Sequence, residues 1–158
     1  MSRRQPPDIW VTNHLANPIL RQLLRGPAGH RLSRRLALIR YRGRRTGRMY
    51  ELPVQFARNG NRIWVLPGSP EHKTWWRNLR GGADVDMLLA GHDIHGHAMV
   101  IDPSRQPEFA EGLTAYLRAV PRARRALGLP KHASPSLSDS ELRQISDSTV
   151  LVRVDLDD

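Results

Sequence analysis

The sequence predicts a mainly β, α+β fold: a small antiparallel β-barrel of five or six short strands decorated by helices. Strand-length apolar runs between residues 36 and 101 are joined by hairpin-type turns at Gly43–Gly47, Asn59-Gly60 and Gly91. Helix-type patterns are scattered among these runs and do not alternate regularly with them, which argues against a parallel sheet. At 158 residues the chain reads as an amino-terminal arm, 1–16, followed by one domain, 17–158, large enough for a real core and without repeats.

Asn17-Pro18 reads as an N-cap with proline at the first helical position. The stripe Ile19, Leu20, Leu23 and Leu24 follows until Gly26-Pro27 stops the helix. Leu36 to Arg42 and Arg48 to Ala57 are expected strands. In the second, Tyr50, Leu52, Val54 and Phe56 alternate with Met49, Glu51, Pro53 and Gln55, the period of a half-buried strand. Pro53 cannot donate to a ladder, so it marks an edge, a bulge or a gap facing a ligand. Asn59-Gly60 turns the chain into Arg62 to Leu66. Ser69 then reads as the cap of a helix from Glu71 to about Leu79, with Pro70 at its first position and Gly81-Gly82 behind it. A strand carrying Val85, Met87 and Leu89 pairs with Ile94 to Ile101. Pro107 opens an amphipathic helix bearing Phe109, Leu113, Tyr116, Leu117 and Val120. Arg122 to Ser136 reads as a short helix and a loop, Ser138 with Glu141 as a capping box, and Thr149 to Leu156 as a closing strand.

The formal net charge is +10, carried almost wholly by arginine, since Lys73 and Lys131 are the only lysines. Such a surface attracts anions: nucleic acid, acidic lipid or a polyanionic cofactor. The absence of cysteine excludes disulfides, thiol catalysis and cysteine-ligated metal centres, and suits the cytoplasm. No apolar segment follows the basic start as a signal peptide requires, and none approaches the roughly 18 residues of a membrane helix. Cytoplasmic localisation is therefore expected. The helix after Asn17, with Arg21 and Arg25 on its polar side, could still rest on the inner face of a membrane.

The charge is densest at Gly43-Arg44-Arg45-Thr46-Gly47-Arg48. Glycines at both ends permit a tight turn and close approach of a ligand, and the arginines and the hydroxyl present donors. Such a turn suits a phosphate or another anion, although a solvated basic turn is the plain alternative.

Several segments together resemble the deazaflavin-dependent nitroreductase family, within the split-barrel superfamily of flavin- and deazaflavin-binding, pyridoxamine-phosphate-oxidase-like proteins. They are Asn17-Pro18 with its leucines, Leu36 to Gly47, Pro53, the Asn59-Gly60 hairpin, Lys73-Thr74-Trp75-Trp76-Arg77-Asn78-Leu79, and Val150 to Val154. The resemblance implies a split β-barrel of about six antiparallel strands with N-terminal, central and C-terminal-region helices. It implies coenzyme F-420, a deazaflavin with a phosphate and a polyglutamate tail, as cofactor. The implied activity is hydride transfer to an organic acceptor: a quinone, an enone or a nitro compound. By resemblance Arg44, Arg45, Thr46 and Gly47 hold the phosphate or tail, and Pro53 borders the ring. Pro67, Gly68 and Ser69 offer backbone amides, and Lys73, Trp76 and Asn78 close the site. Trp75 and Trp76 are consecutive on a helix and face different ways, so for Trp76 both the cofactor and the core stay open. Tyr50, Tyr116 or water are the candidate proton donors.

Nitroreducing members carry a tyrosine cluster after the long helix. Here Val120 to Ala126 has only Tyr116 nearby, which points away from bulky nitro substrates and towards a different or acidic acceptor. The loop from Leu66 to Trp75 is also shorter than in those members. Two other readings stand beside this one. One is FMN on the same barrel; the other is single-stranded nucleic acid on the arginine-rich hairpin, with Tyr41 and Tyr50 for stacking. His92, His95 and His97 read as a half-exposed strand face and not as a metal site. Asp84, Asp86 and Glu51 are expected in salt bridges with neighbouring arginines. A homodimer is expected by analogy with other split barrels.

Overall fold

The computed structural model describes residues 22, 24–27, 31, 34–68, 70–71, 73–131 and 136–158. The expected amino-terminal arm, the helix start at Asn17-Pro18 with Ile19, Leu20, Arg21 and Leu23, and Ser69 lie outside the described residues.

Strands β1 (Leu36–Arg42), β2 (Met49–Gln55), β3 (Ala57–Asn59), β4 (Arg62–Val65), β5 (Ala83–Leu89), β6 (His92–Ile101) and β7 (Leu151–Leu156) form one antiparallel sheet in the order β2-β1-β5-β6-β7-β4-β3. There is one strand more than expected because the run from Arg48 to Ala57 changes partners at Phe56. Before it the chain pairs with β1, from Arg42↔Met49 to Leu36↔Gln55; after it Ala57 faces Trp64 of β4. β2 and β3 are therefore the two edges of the sheet, yet a single residue joins them. The sheet has to curl until its edges meet, and that curl makes it a split barrel.

Alternation along the strands sorts side chains to the two faces. Inward-facing Ile39, Tyr41, Val54, Phe56, Ile63, Val65, Val85, Met87, Val152 and Val154 fill the barrel together with Trp76 and Leu79. A second core lies outside, where Trp64, Ile101 and Leu151 meet α1 (Glu108–Ala119) through Phe109, Leu113, Tyr116 and Leu117. The spacing of those four positions is the apolar stripe of an amphipathic helix, and each buried side chain contributes about 1.5–3 kcal/mol. Gly112 lets α1 lie directly on the Trp64 ring: a Cβ there would stand 2.5 Å from Trp64 Cε3. Glu108 fastens the start of α1 to Arg105 and to Arg153 of β7. A smaller apolar contact joins Leu24 to Leu38 and Leu88 on the outer face.

Two short helices, α2 (Ala123–Ala126) and α3 (Asp139–Ile145), complete the chain. The Ser138–Glu141 capping box forms as the sequence predicts. Glu141 also receives a buried bond from Arg124 Nη2 at 2.6 Å, and Arg124 Nε reaches Pro130 O at 3.0 Å. The helix expected from Ser69 onwards is not formed. Pro70 and Glu71 lie in a turn, and only Trp75–Leu79 is helical, as a 3-10 segment. Trp76 supplies the reason: its indole sinks into the barrel mouth and Nε1 donates to Pro70 O at 3.1 Å, which folds the segment back on itself.

Candidate functional site

Antiparallel register brings four segments to one end of the barrel. The β1–β2 turn sits beside the start of β5, through Tyr41↔Val85. The start of β5 lies beside the last part of β6, through Ala83↔Ala98, and β6 ends beside the start of β7, through Ile101↔Leu151. β4 ends there as well, through Val65↔Val152, so Pro67 and Gly68 emerge at that same end. The 3-10 helix closes over it.

The basic turn is built by its own backbone and by one long-range strut. Gly43 N donates to Arg48 O at 2.8 Å and Gly47 N to Gly43 O at 2.9 Å, while Gly47 takes a φ of 66° that L side chains rarely adopt. Gly43 packs against the Tyr50 ring; a Cβ there would lie 2.7 Å from Tyr50 Cε2. The Thr46 hydroxyl accepts from Arg48 N at 3.3 Å and shares a bond with Tyr50 Oη at 3.3 Å. Asn78 is the strut: its Oδ1 accepts from Arg44 N at 3.0 Å, and its Nδ2 donates to Trp75 O at 3.0 Å. One bond from each end of the amide thus holds turn to helix.

This scaffolding leaves the cations outward. Among the described residues, no hydrogen bond or ion pair engages the guanidinium of Arg44, Arg45 or Arg48, and all three residues are exposed. Arg44 reaches towards Gly81, where a Cβ would meet Nη2 at 3.4 Å. The ammonium of Lys73 stands over Gly68, 3.8 Å from where a Cβ would be. Arg40 pairs with Glu51 at 3.1 Å, the arginine salt bridge expected for Glu51.

The remaining expected residues divide. Pro67 is buried and Gly68 exposed at the site end. Pro53 lies on the edge strand, exposed, opposite Leu38 and four residues from Met49, or about 13 Å along β2. Trp76 is 4 % exposed and belongs to the barrel core. Trp75 is the tryptophan that meets the turn: it lies 6.2 Å from Tyr41, which stacks on Tyr50 at 5.7 Å. The spacing Trp-x-x-Asn-Leu counts from Trp75, and that signal could have found it. Of the two candidate phenols, Tyr50 is at the foot of the turn. Tyr116 is not; it lies on the buried side of α1 in the second core, where burial pushes its pKa up to about 12. Burial, with Tyr50 as a neighbour, likewise holds Tyr41 at about 12.

His95 and His97 share the outer face, as expected, but their partners differ from the expectation. Register sets Asp86 opposite His95 and Asp84 opposite His97, and the pairs bond at 2.8 and 3.0 Å. Arg40 of β1 also stands opposite Asp86, but its guanidinium bonds to Glu51, and no arginine of β6 faces either aspartate. The His97 bond lowers the pKa of Asp84, and the Asp86 bond raises that of His95.

The sequence matches the model of the family described as F420H(2)-dependent quinone reductase over residues 16–122, well over half of the chain. The chain belongs to that family. It is accordingly an oxidoreductase that uses coenzyme F-420. No curated protein matches. Among solved structures, the F420-H2 dependent reductase FDR-A is similar with a TM-score of 0.53 and 12% identity, covering 78% of this chain and 95% of its own. A structure described as a domain-swapped dimer has a TM-score of 0.57 at 15% identity, covering 94% and 99%. At such identities these likenesses show the fold alone.

The residues present suit the family's cofactor. A phosphate with a polyglutamate tail needs several cations that are not already neutralised, and the site end supplies Arg44, Arg45, Arg48 and Lys73 around a rigid turn. No helix among the described residues is long and apolar enough to cross a membrane.

Proposed function

We propose that this family member reduces a small organic acceptor of the quinone, enone or nitro class, with the basic turn as the clamp for the cofactor's acidic groups. The observation that carries the reading is that the guanidiniums of Arg44, Arg45 and Arg48 have no partner among the described residues, on a turn fixed from within. Arginines already neutralised by carboxylates would have little to offer an anion; these have their full bonding capacity left.

In this reading Arg44 and Arg45 hold the phosphate or tail, while Thr46 and Gly47 set the turn that aims them. Lys73 over Gly68 adds a cation on the far side, and Pro53 borders the ring further along the exposed face of β2. The bound deazaflavin supplies the hydride. The chain orients it, keeps water from it and leaves one face open. Tyr50 is the phenol at hand for proton transfer. A homodimer fits the likeness to a domain-swapped dimer.

The test is a titration with coenzyme F-420, followed by quenching of its fluorescence, and a parallel one with FMN. Saturable F-420 binding is expected. The double variant Arg44→Ala, Arg45→Ala should bind about tenfold or more weaker, one charge-assisted bond being worth at least that. Its melting temperature should not change, since neither guanidinium has a partner among the described residues. Undiminished affinity in the double variant would refute the clamp. Uptake of FMN alone would reassign the cofactor, and tight salt-sensitive oligonucleotide binding with neither cofactor would overturn the enzyme reading.

A further inference from the structure

A second basic surface is carried by the end of α1 and by α2. Between Glu111 and Asp139 the sequence has no acidic residue, yet it holds Arg118, Arg122, Arg124, Arg125 and Lys131. α1 packs over β3, β4 and β7, so this stretch lies outside the barrel, on the second core.

Of these cations Arg124 turns inward. Its side chain bonds Glu141 and Pro130 O, while Leu129 N donates to Arg124 O at 2.9 Å and Gly128 N to Arg125 O at 3.0 Å, closing the end of α2. At the other end Ala123 N donates to Val120 O at 3.0 Å, so α2 follows α1 through a tight turn. Arg122 and Arg125 stand three apart on the exposed side of α2, and Ala123 and Arg124 face the core. Arg118, Arg122, Arg125 and Lys131 are all exposed, and none has a hydrogen bond or ion pair among the described residues. Buried scaffolding thus holds these four cations towards solvent on one short platform.

The chemistry between the charges narrows the partner. Residues 118–131 include no aromatic side chain on which a base could stack. Pro121 and Ala126 are exposed among the cations, and Val120 and Leu127 are half-buried. A phosphodiester backbone offers nothing to such apolar groups, whereas the boundary between lipid headgroups and acyl chains takes both kinds. The amino-terminal helix, which the sequence offers to a membrane, is otherwise engaged in its described part. Leu24 is buried against Leu38 and Leu88, and Arg25 pairs with Asp93.

We propose that the end of α1 and α2 together form a docking surface for an anionic lipid bilayer. Arg118, Arg122, Arg125 and Lys131 meet the headgroups, with Pro121 and Ala126 between them. The contact is peripheral and reversible, since each cation near such a surface favours binding only about fivefold and salt screens it. This surface is independent of the cofactor reading.

Flotation of the full chain with vesicles of equal parts phosphatidylcholine and phosphatidylglycerol tests it, beside vesicles of phosphatidylcholine alone. The wild type should float with the anionic vesicles and not with the neutral ones, and strong salt should release it. Arg122→Gln with Arg125→Gln should weaken that affinity roughly thirtyfold, from two cations at about fivefold each. The melting temperature should hold, because neither side chain has a partner among the described residues. Arg44→Ala with Arg45→Ala removes the same net charge elsewhere and should keep vesicle affinity within about threefold. Failure of the wild type to float would overturn the proposal, as would undiminished vesicle affinity in the Arg122, Arg125 variant. Equal losses in the two double variants would overturn it too, because net charge and not this surface would be the cause. Salt-sensitive oligonucleotide binding that the Arg122, Arg125 variant loses, with no vesicle binding, would overturn it in favour of nucleic acid.

Discussion

Asn78→Ala separates the scaffold of the basic turn from its charges. The substitution removes two bonds of 3.0 Å, one from Arg44 N and one to Trp75 O, and touches no cation. A net protein hydrogen bond is worth about 0.5–1.5 kcal/mol. Arg44 lies exposed, so water can replace the bond to its amide; Trp75 O is more enclosed and loses more. A sum of roughly 1.5 kcal/mol follows, which for a domain of this size lowers the melting temperature by about 3–6 °C. The turn then loses its register with the 3-10 helix, and F-420 affinity should fall by up to about tenfold although every arginine is still present. Differential scanning calorimetry and the fluorescence titration read the two effects separately. An unaltered melting temperature would refute the strut. A lowered melting temperature with wild-type affinity would refute its coupling to the clamp.

Two further outcomes are expected. Tyr41 and Tyr116 hold their protons to about pH 12, whereas in the unfolded chain each releases its proton near 10. The unfolded state binds fewer protons in that interval, so stability is intact below pH 10 and declines as pH rises towards 12; urea denaturation across that range should show it, and Tyr41→Phe with Tyr116→Phe should flatten it. Glu141→Ala strands the buried Arg124 charge and undoes the Ser138 capping box, costing about 3–5 kcal/mol; equilibrium denaturation measures it, and Arg124→Leu with Glu141→Leu should recover much of the loss.

The strands were legible wherever one face alternates against one core. β1, β5, β6 and β7 fall close to where their apolar residues put them. The division of β2 from β3 was hidden because Tyr50, Leu52, Val54 and Phe56 keep their period straight through it; alternation tells which face is buried and not which neighbour supplies the hydrogen bonds. The Ser69-Pro70 signature misled for a tertiary reason, since burying Trp76 and bonding its indole to Pro70 outweighs the local preference for a longer helix. Tyr116 was readable as core, for it shares the stripe of Phe109, Leu113 and Leu117. The turn's charges were plain in the sequence. Its strut was visible only as an asparagine of suitable spacing, because a contact across 34 residues leaves no periodic trace.

The single residue between β2 and β3 also decides how the molecule can breathe. A link of one residue spans at most about 7 Å between its neighbours, so the strands flanking Phe56 are stapled together away from the basic turn. At the opposite end the start of β2 and the loop after β4 are tied through the 3-10 helix instead, by Arg44 N on Asn78 and by Trp76 Nε1 on Pro70 O. One end of the seam is therefore covalent, while the other is held by hydrogen bonds that a single substitution can remove.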